Sequence, residues 1–229
     1  MIADNKDNAE EWISVSDMMA GLMMIFLFVA VIYIQNISKY FDEVNDTSQL
    51  ICNDLRAEFT AEAQAWNMSI CEDGLLIRFV NDTNFETNSA VLSLRFKYIL
   101  NNFFPRFMEI IHSYNDSLSE LRIEGHTDSS VRRIDTEFSG YLYNTKLSQE
   151  RSRSVMSFVL NIPDVRSNDS YLSWCYENLT AHGMSSSNPI LNVKGKEDYN
   201  LSRRVEFRLR TKAEDVLMDL VKELNSDGA

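Results

Sequence analysis

Residues 18–34, "MMAGLMMIFLFVAVIYI", form an apolar run without a single charged side chain. A helix rises about 1.5 Å per residue, so the run covers roughly 25 Å, slightly short of a bilayer core of about 30 Å. Including Ile13, Val15 and Asp17 completes the span. A cleaved signal peptide needs a basic leader and a small-residue cleavage site. The leader here, "MIADNKDNAEEW", is acidic, and residues 32–36 offer no such site. The expected elements are a tail over 1–11 and a retained single-pass helix over 12–35. Lys6 and Lys39 flank the span about equally, so counting basic residues leaves its orientation open.

Asp17 is the one charged residue between Glu11 and Lys39. Two readings compete for it. In the first it caps the helix N-terminus at headgroup level, with Ser14 and Ser16 helping to satisfy free amides. In the second it carries an ion, because a carboxyl group at the edge of lipid can cross a dry step neutral and ionise where it meets water. A lone carboxylate suffices for a proton, whereas sodium needs several oxygen ligands; Ser14 and Ser16 keep sodium open.

Beyond the membrane, Ile37, Phe41, Val44, Ser48, Ile51 and Leu55 alternate at spacings of four and three, the seam of a coiled coil. A parallel homodimer through residues 18–55 is expected, with 36–65 as a helical linker. An amphipathic helix lying on its own domain would show the same spacing. From 66 to 229 the pattern is α+β. "NMSICED" and "GLLIRFV" read as a hairpin around Asp73-Gly74. Residues 89–114 read as a helix broken or kinked at Pro105. "LRIEGHT", "NLTAHGM" and "RRVEFRLRT" read as strands, "YLYNTKLSQERSRSVMSFVLNI" as a helix, and Val216, Leu217, Leu220, Val221 and Leu224 as the buried stripe of a closing helix. The formal charge of −12 argues against a direct grip on nucleic acid, which needs a basic face.

Trp12, Asp17, Met18, the small pair Ala20 and Gly21, then Met23, Phe26 and Phe28 resemble the membrane segment of MotB-type stator proteins, in which a single aspartate near the cytoplasmic end carries the ion. Ala20 and Gly21 permit close helix approach in any case. "IEGHTD" (123–128), "NTKLSQERSRSV" (144–155), "AHGMSSSNPI" (181–190) and "SRRVEF" (202–207) resemble, in order, the motifs of OmpA-C-like peptidoglycan-binding domains. The resemblance spans about residues 70–211. It implies a mixed sheet with helices on one face, in the periplasm, and hence a cytoplasmic N-terminus in a bacterial inner membrane.

Diaminopimelate in a peptidoglycan stem peptide presents an ammonium and a carboxylate on one carbon, so its receptor needs an acid and a forked donor side by side. The resemblance gives these roles to Asp128 and Arg151. Asn144 and Leu147 share a helical face with Arg151 and supply a hydrogen bond and an apolar wall; Thr127 and Arg204 are secondary candidates. The sequence departs from the family at the pocket rim. Residues 129–143 are longer than the usual loop and lack its early glycine, Ser202 stands where asparagine is usual, and Tyr199 where arginine is.

His112, His126 and His182 are dispersed, and His126 reads as a structural strand-end residue rather than a metal ligand. Cys52, Cys71 and Cys175 leave one pair plus a spare, or an intermolecular bridge, open. No nucleophile–base arrangement or phosphate loop is present, so no enzyme, cofactor or metal is expected. Two function classes remain: an ion-driven motor subunit and a passive wall tether with Asp17 as a cap. An acid beside Met, Ala and Gly at these offsets favours the motor. Flagellar MotB proteins have a basic leader and a longer linker. The acidic leader and short helical tether look more like the ZorB family of Zorya anti-phage defence, whose partner is the ring-forming subunit ZorA.

Overall fold

The computed structural model describes residues 4–80, 84–86, 88–130 and 136–226. The side chains of 4–11, 13–14 and 223–226, among them Ile13, Ser14 and Leu224, lie outside the described set, as do residues 131–135 of the long loop. The chain forms two compact units, one of residues 44–215 and one of residues up to 43 with those from 216.

Helix α1 runs over Asp4–Trp66 and contributes to both units. In the smaller unit every described side chain from 15 to 36 is exposed, including Met18 and Met23. So long an apolar surface is unfavourable in water, and α1 is long and apolar enough to cross a membrane. The closing helix α7 (Lys212–Ser226) starts at the end of the larger unit.

The larger unit is an α+β domain built on a five-stranded sheet. Its strands are β1 (Met68–Ile70), β2 (Leu76–Val80), β3 (Leu118–His126), β4 (Leu179–Gly183) and β5 (Arg204–Thr211). Their order is β1-β2-β5-β3-β4, with β3 and β4 parallel and the remaining pairs antiparallel. The hairpin forms where the Asp73-Gly74 pair indicated, and Gly74 adopts φ +95°, a conformation that favours glycine. Helices α2 (Leu94–Ser113) and α3 (Glu137–Leu160) follow. Three short helices were not expected from the sequence: α4 (Pro163–Arg166), α5 (Asp169–Asn178) and α6 (Tyr199–Ser202).

Alternation along the strands builds the core. On β5, Val205, Phe207 and Leu209 point inward, opposite Gly125, Ile123 and Leu121 of β3. Phe79, Phe103, Phe104 and Phe107 surround Phe207 with ring centroids 5.4–6.1 Å away. Helix α2 begins at Ser93, whose hydroxyl accepts from the Phe96 amide, rather than at Ser89. It also runs through Pro105, because four buried phenylalanines and two buried isoleucines on one face outweigh one lost helical hydrogen bond.

The end of α1 packs on this domain. Ile51, Leu55 and Phe59 of α1 are completely buried in this domain, and Phe59 meets Phe103 at 5.0 Å. Arg106 of α2 pairs with Glu58 at 2.5 Å and Glu62 at 3.0 Å. A disulfide between Cys52 and Cys71 ties the same stretch to the end of β1, while Cys175 is free and buried. The last two seam positions thus pack into the domain's own core, as the alternative of an amphipathic helix lying on its own domain has it.

Candidate functional site

Two groups of residues carry the chemistry, one in each unit. The first is Asp17. Because α1 begins at Asp4, Asp17 lies in the helix interior, where backbone amides already bond to carbonyls one turn back. The capping role considered for it is thereby removed. Its side chain is exposed.

The second group sits at the C-terminal end of β3. Helix α3 comes so close to β3 and β4 there that a Cβ on Gly125 would lie 2.4 Å from the Ser148 carbonyl oxygen, and one on Gly183 would lie 2.4 Å from the Gln149 nitrogen. Only glycine allows this approach. Gln149 completes the contact by donating to the Ala181 carbonyl at 3.2 Å and accepting from the Gly183 amide at 2.9 Å. The docked helix delivers Asn144, whose Nδ2 donates to the Asp128 carbonyl at 3.1 Å, and buries Leu147 on the same face. Thr127 donates its amide to the Ser185 carbonyl at 2.9 Å.

The buried Asp128 carboxylate accepts from the Ser130 amide at 2.9 Å, from the Ser130 hydroxyl and from Arg203 Nη1. Arg203 also donates to Asn200 Oδ1 at 2.5 Å. Glu197 reaches the neighbouring residue, taking the Ser129 amide at 3.1 Å and its hydroxyl. Arg151 donates Nε to the Ser89 carbonyl at 3.1 Å and stacks over Phe85 at 4.8 Å. A cleft of about 570 Å³ opens beside Ser129 and Asn144.

Of the residues expected here, Asp128, Thr127 and Asn144 come together. Arg204 does not. It belongs to the opposite face of the sheet, where it donates to Glu206 at 2.7 Å and to the carbonyls of Asn188 and Ser202. Arg203, Ser130 and Glu197 were missed as site residues. For Arg203 the signal was the period-two alternation of "RRVEFRLR", which sends neighbouring arginines to opposite sides.

No protein-family model matches the chain. A ZorB protein of the Zorya system from Escherichia coli strain ATCC 8739 is 36% identical over 227 residues, covering 96% of this chain and 95% of the relative. The chain belongs to the ZorB family. A second Escherichia coli ZorB, from an O139:H28 strain, is 26% identical over 214 residues, covering 89% of this chain and 82% of that one. A MotB-like protein of Desulfovibrio vulgaris superposes with a TM-score of 0.52 over 75% of this chain and 95% of its own, at 19% identity, and shares the fold. The ZorB membership agrees with the resemblance in the acidic leader and short tether, and the MotB-like sheet agrees with the expected fold class.

The outer face of this ZorB-family sheet holds a charged ladder. Glu124, His126 and Glu206 lie close enough to share a metal ion. Their carboxylates are already engaged by guanidiniums: Glu206 by Arg78 at 2.8 Å, Arg204 at 2.7 Å and Arg208 at 3.0 Å, and Glu124 by Arg208 at 3.4 Å. That much positive charge disfavours a cation. Burial is the largest influence and pushes the Glu206 pKa up, but the hydrogen bonds and positive charges around it, led by Arg204, together outweigh it and bring the group to about 2. Burial lowers the His126 pKa and so favours the neutral ring.

Proposed function

We propose that the chain is the ion-carrying, wall-anchored subunit of a proton-driven rotary motor that protects a bacterium from phage. It works as a homodimer with a ring of ZorA-like membrane subunits. Asp17 carries the proton, and the domain from Val44 holds peptidoglycan through Asp128, with Asn144 supporting the loop and Arg151 facing the ligand carboxylate. The observation that carries this reading is Asp17 itself, a lone carboxylate within an uncharged stretch of a continuous helix. A passive tether has no use for it once the capping role is gone. The Cys52–Cys71 disulfide supports a periplasmic domain and a cytoplasmic N-terminus, because such bonds persist in oxidising compartments.

The test is phage plating on cells that carry the whole defence operon. Asp17→Asn keeps side-chain shape and cannot ionise. Loss of protection at normal membrane abundance is expected, with partial protection from Asp17→Glu. Full protection by Asp17→Asn would leave only an anchoring role.

A further inference from the structure

The long segment after Asp128 ends in the first turns of α3, which present two aromatic rings to solvent. Phe138 is 73% exposed and Tyr141 is 52% exposed, while Gly140 between them faces inward. Neither ring belongs to the aromatic core. Both line the cleft of about 570 Å³ that reaches Ser129 and Asn144, the residues flanking the Asp128 loop. The remaining walls are polar: Thr136, Glu137 and Ser186. This volume falls in the range of small-ligand sites, roughly 300–1,000 Å³.

We propose that Phe138 and Tyr141 form a stacking surface for the glycan of the wall, an amino-sugar ring next to the stem peptide held at Asp128. The proposal rests on the wall-binding reading and names a second part of the same ligand. A pyranose ring has an apolar C–H face and edges of hydroxyl and N-acetyl groups. Its C–H face suits the electron-rich face of an aromatic ring, and its edges suit hydroxyls and a carboxylate. An apolar protein helix would instead bury the Glu137 carboxylate against apolar groups, which is costly. Reach is set by covalent structure: a stem peptide is joined to its sugar, so a sugar accompanies any peptide bound beside Asn144.

Calorimetric titration of the full-length chain in detergent tests this with two probes: the N-acetylglucosaminyl-N-acetylmuramyl tripeptide that contains diaminopimelate, and the same tripeptide without sugars. Wild type should bind the sugar-bearing probe about tenfold tighter, equivalent to about 1.4 kcal/mol. Phe138→Ala with Tyr141→Ala should remove that difference and leave the affinity for the bare tripeptide unchanged. Equal affinity of wild type for both probes, or a difference that survives in the double variant, overturns the stacking surface while the peptide site stands. Binding of neither probe overturns the wall reading and the stacking surface with it.

Discussion

Adjacent arginines at the start of β5 have separate tasks. Arg203 touches the Asp128 carboxylate, and Arg204 anchors Glu206 two residues further along β5. Their variants should separate accordingly. Asp128→Ala should abolish sedimentation with purified sacculi, since losing one partner at a desolvated charged contact costs about 2–5 kcal/mol. Its melting temperature should fall less than that of Arg204→Ala, because Arg203 is partly exposed and water can take the place of the acid. Arg204→Ala leaves Glu206 buried with fewer partners, a loss of about 3–5 kcal/mol by the measure of broken buried pairs. It should lower the melting temperature by roughly 6–20 °C for a domain of this size. Unchanged sedimentation of Asp128→Ala would move the pocket elsewhere. The sequence announced both arginines but not the residue at which the strand begins, and that one-residue register decides which of them faces the site.

The same ladder sets the response to acid. His126 and Glu206 both titrate below their ordinary values of 6.5 and 4.5, so the unfolded chain takes up protons before the folded one. Stability is therefore full above those ordinary values and declines as pH falls, first through His126 and then through Glu206 towards about 2. Circular-dichroism melts between pH 7.5 and 5.5 should show a falling melting temperature, and His126→Asn should flatten the slope. A slope as steep in the variant would assign the acid response to another group.

Among the elements, α1 shows where sequence reading stops. Spacings of four and three mark a helix with an apolar stripe, whatever covers that stripe. Ile51 and Leu55 turn inward, held by Phe59 on Phe103 and by the Cys52–Cys71 bond, while Phe41 stays 52% exposed. A cysteine at Phe41 should therefore cross-link two copies in membranes, and one at Ile51 should not. Strong cross-linking through Ile51 would restore the longer seam. Breaking the native bridge with Cys52→Ala and Cys71→Ala should cost about 3 kcal/mol, the loop-closure value for 19 residues, read as an earlier midpoint in guanidinium. The β-strands were legible because alternation and the Asp-Gly turn are local signals. The short helices α4, α5 and α6 were not, since four to ten residues carry too little periodicity to stand out.

At the scale of the whole molecule, a helix able to cross lipid carries a single charged residue, the acid Asp17, between Glu11 and Lys39, and a domain of MotB-like fold carries a buried acid at a strand end. The motor account joins them: the wall holds the subunit still, so work done at Asp17 turns the ring around it. Each proton crossing a potential supplies about 2.3 kcal/mol per 100 mV, and in the proposed dimer two acids would act in turn. The direct test is proton uptake by vesicles that contain the full-length chain with its ring-forming partner under an imposed potential. Wild type should carry protons, Asp17→Glu fewer, and Asp17→Asn, in equal amounts of intact complex, none above empty vesicles. Wild-type flux through the Asp17→Asn complex would contradict the account.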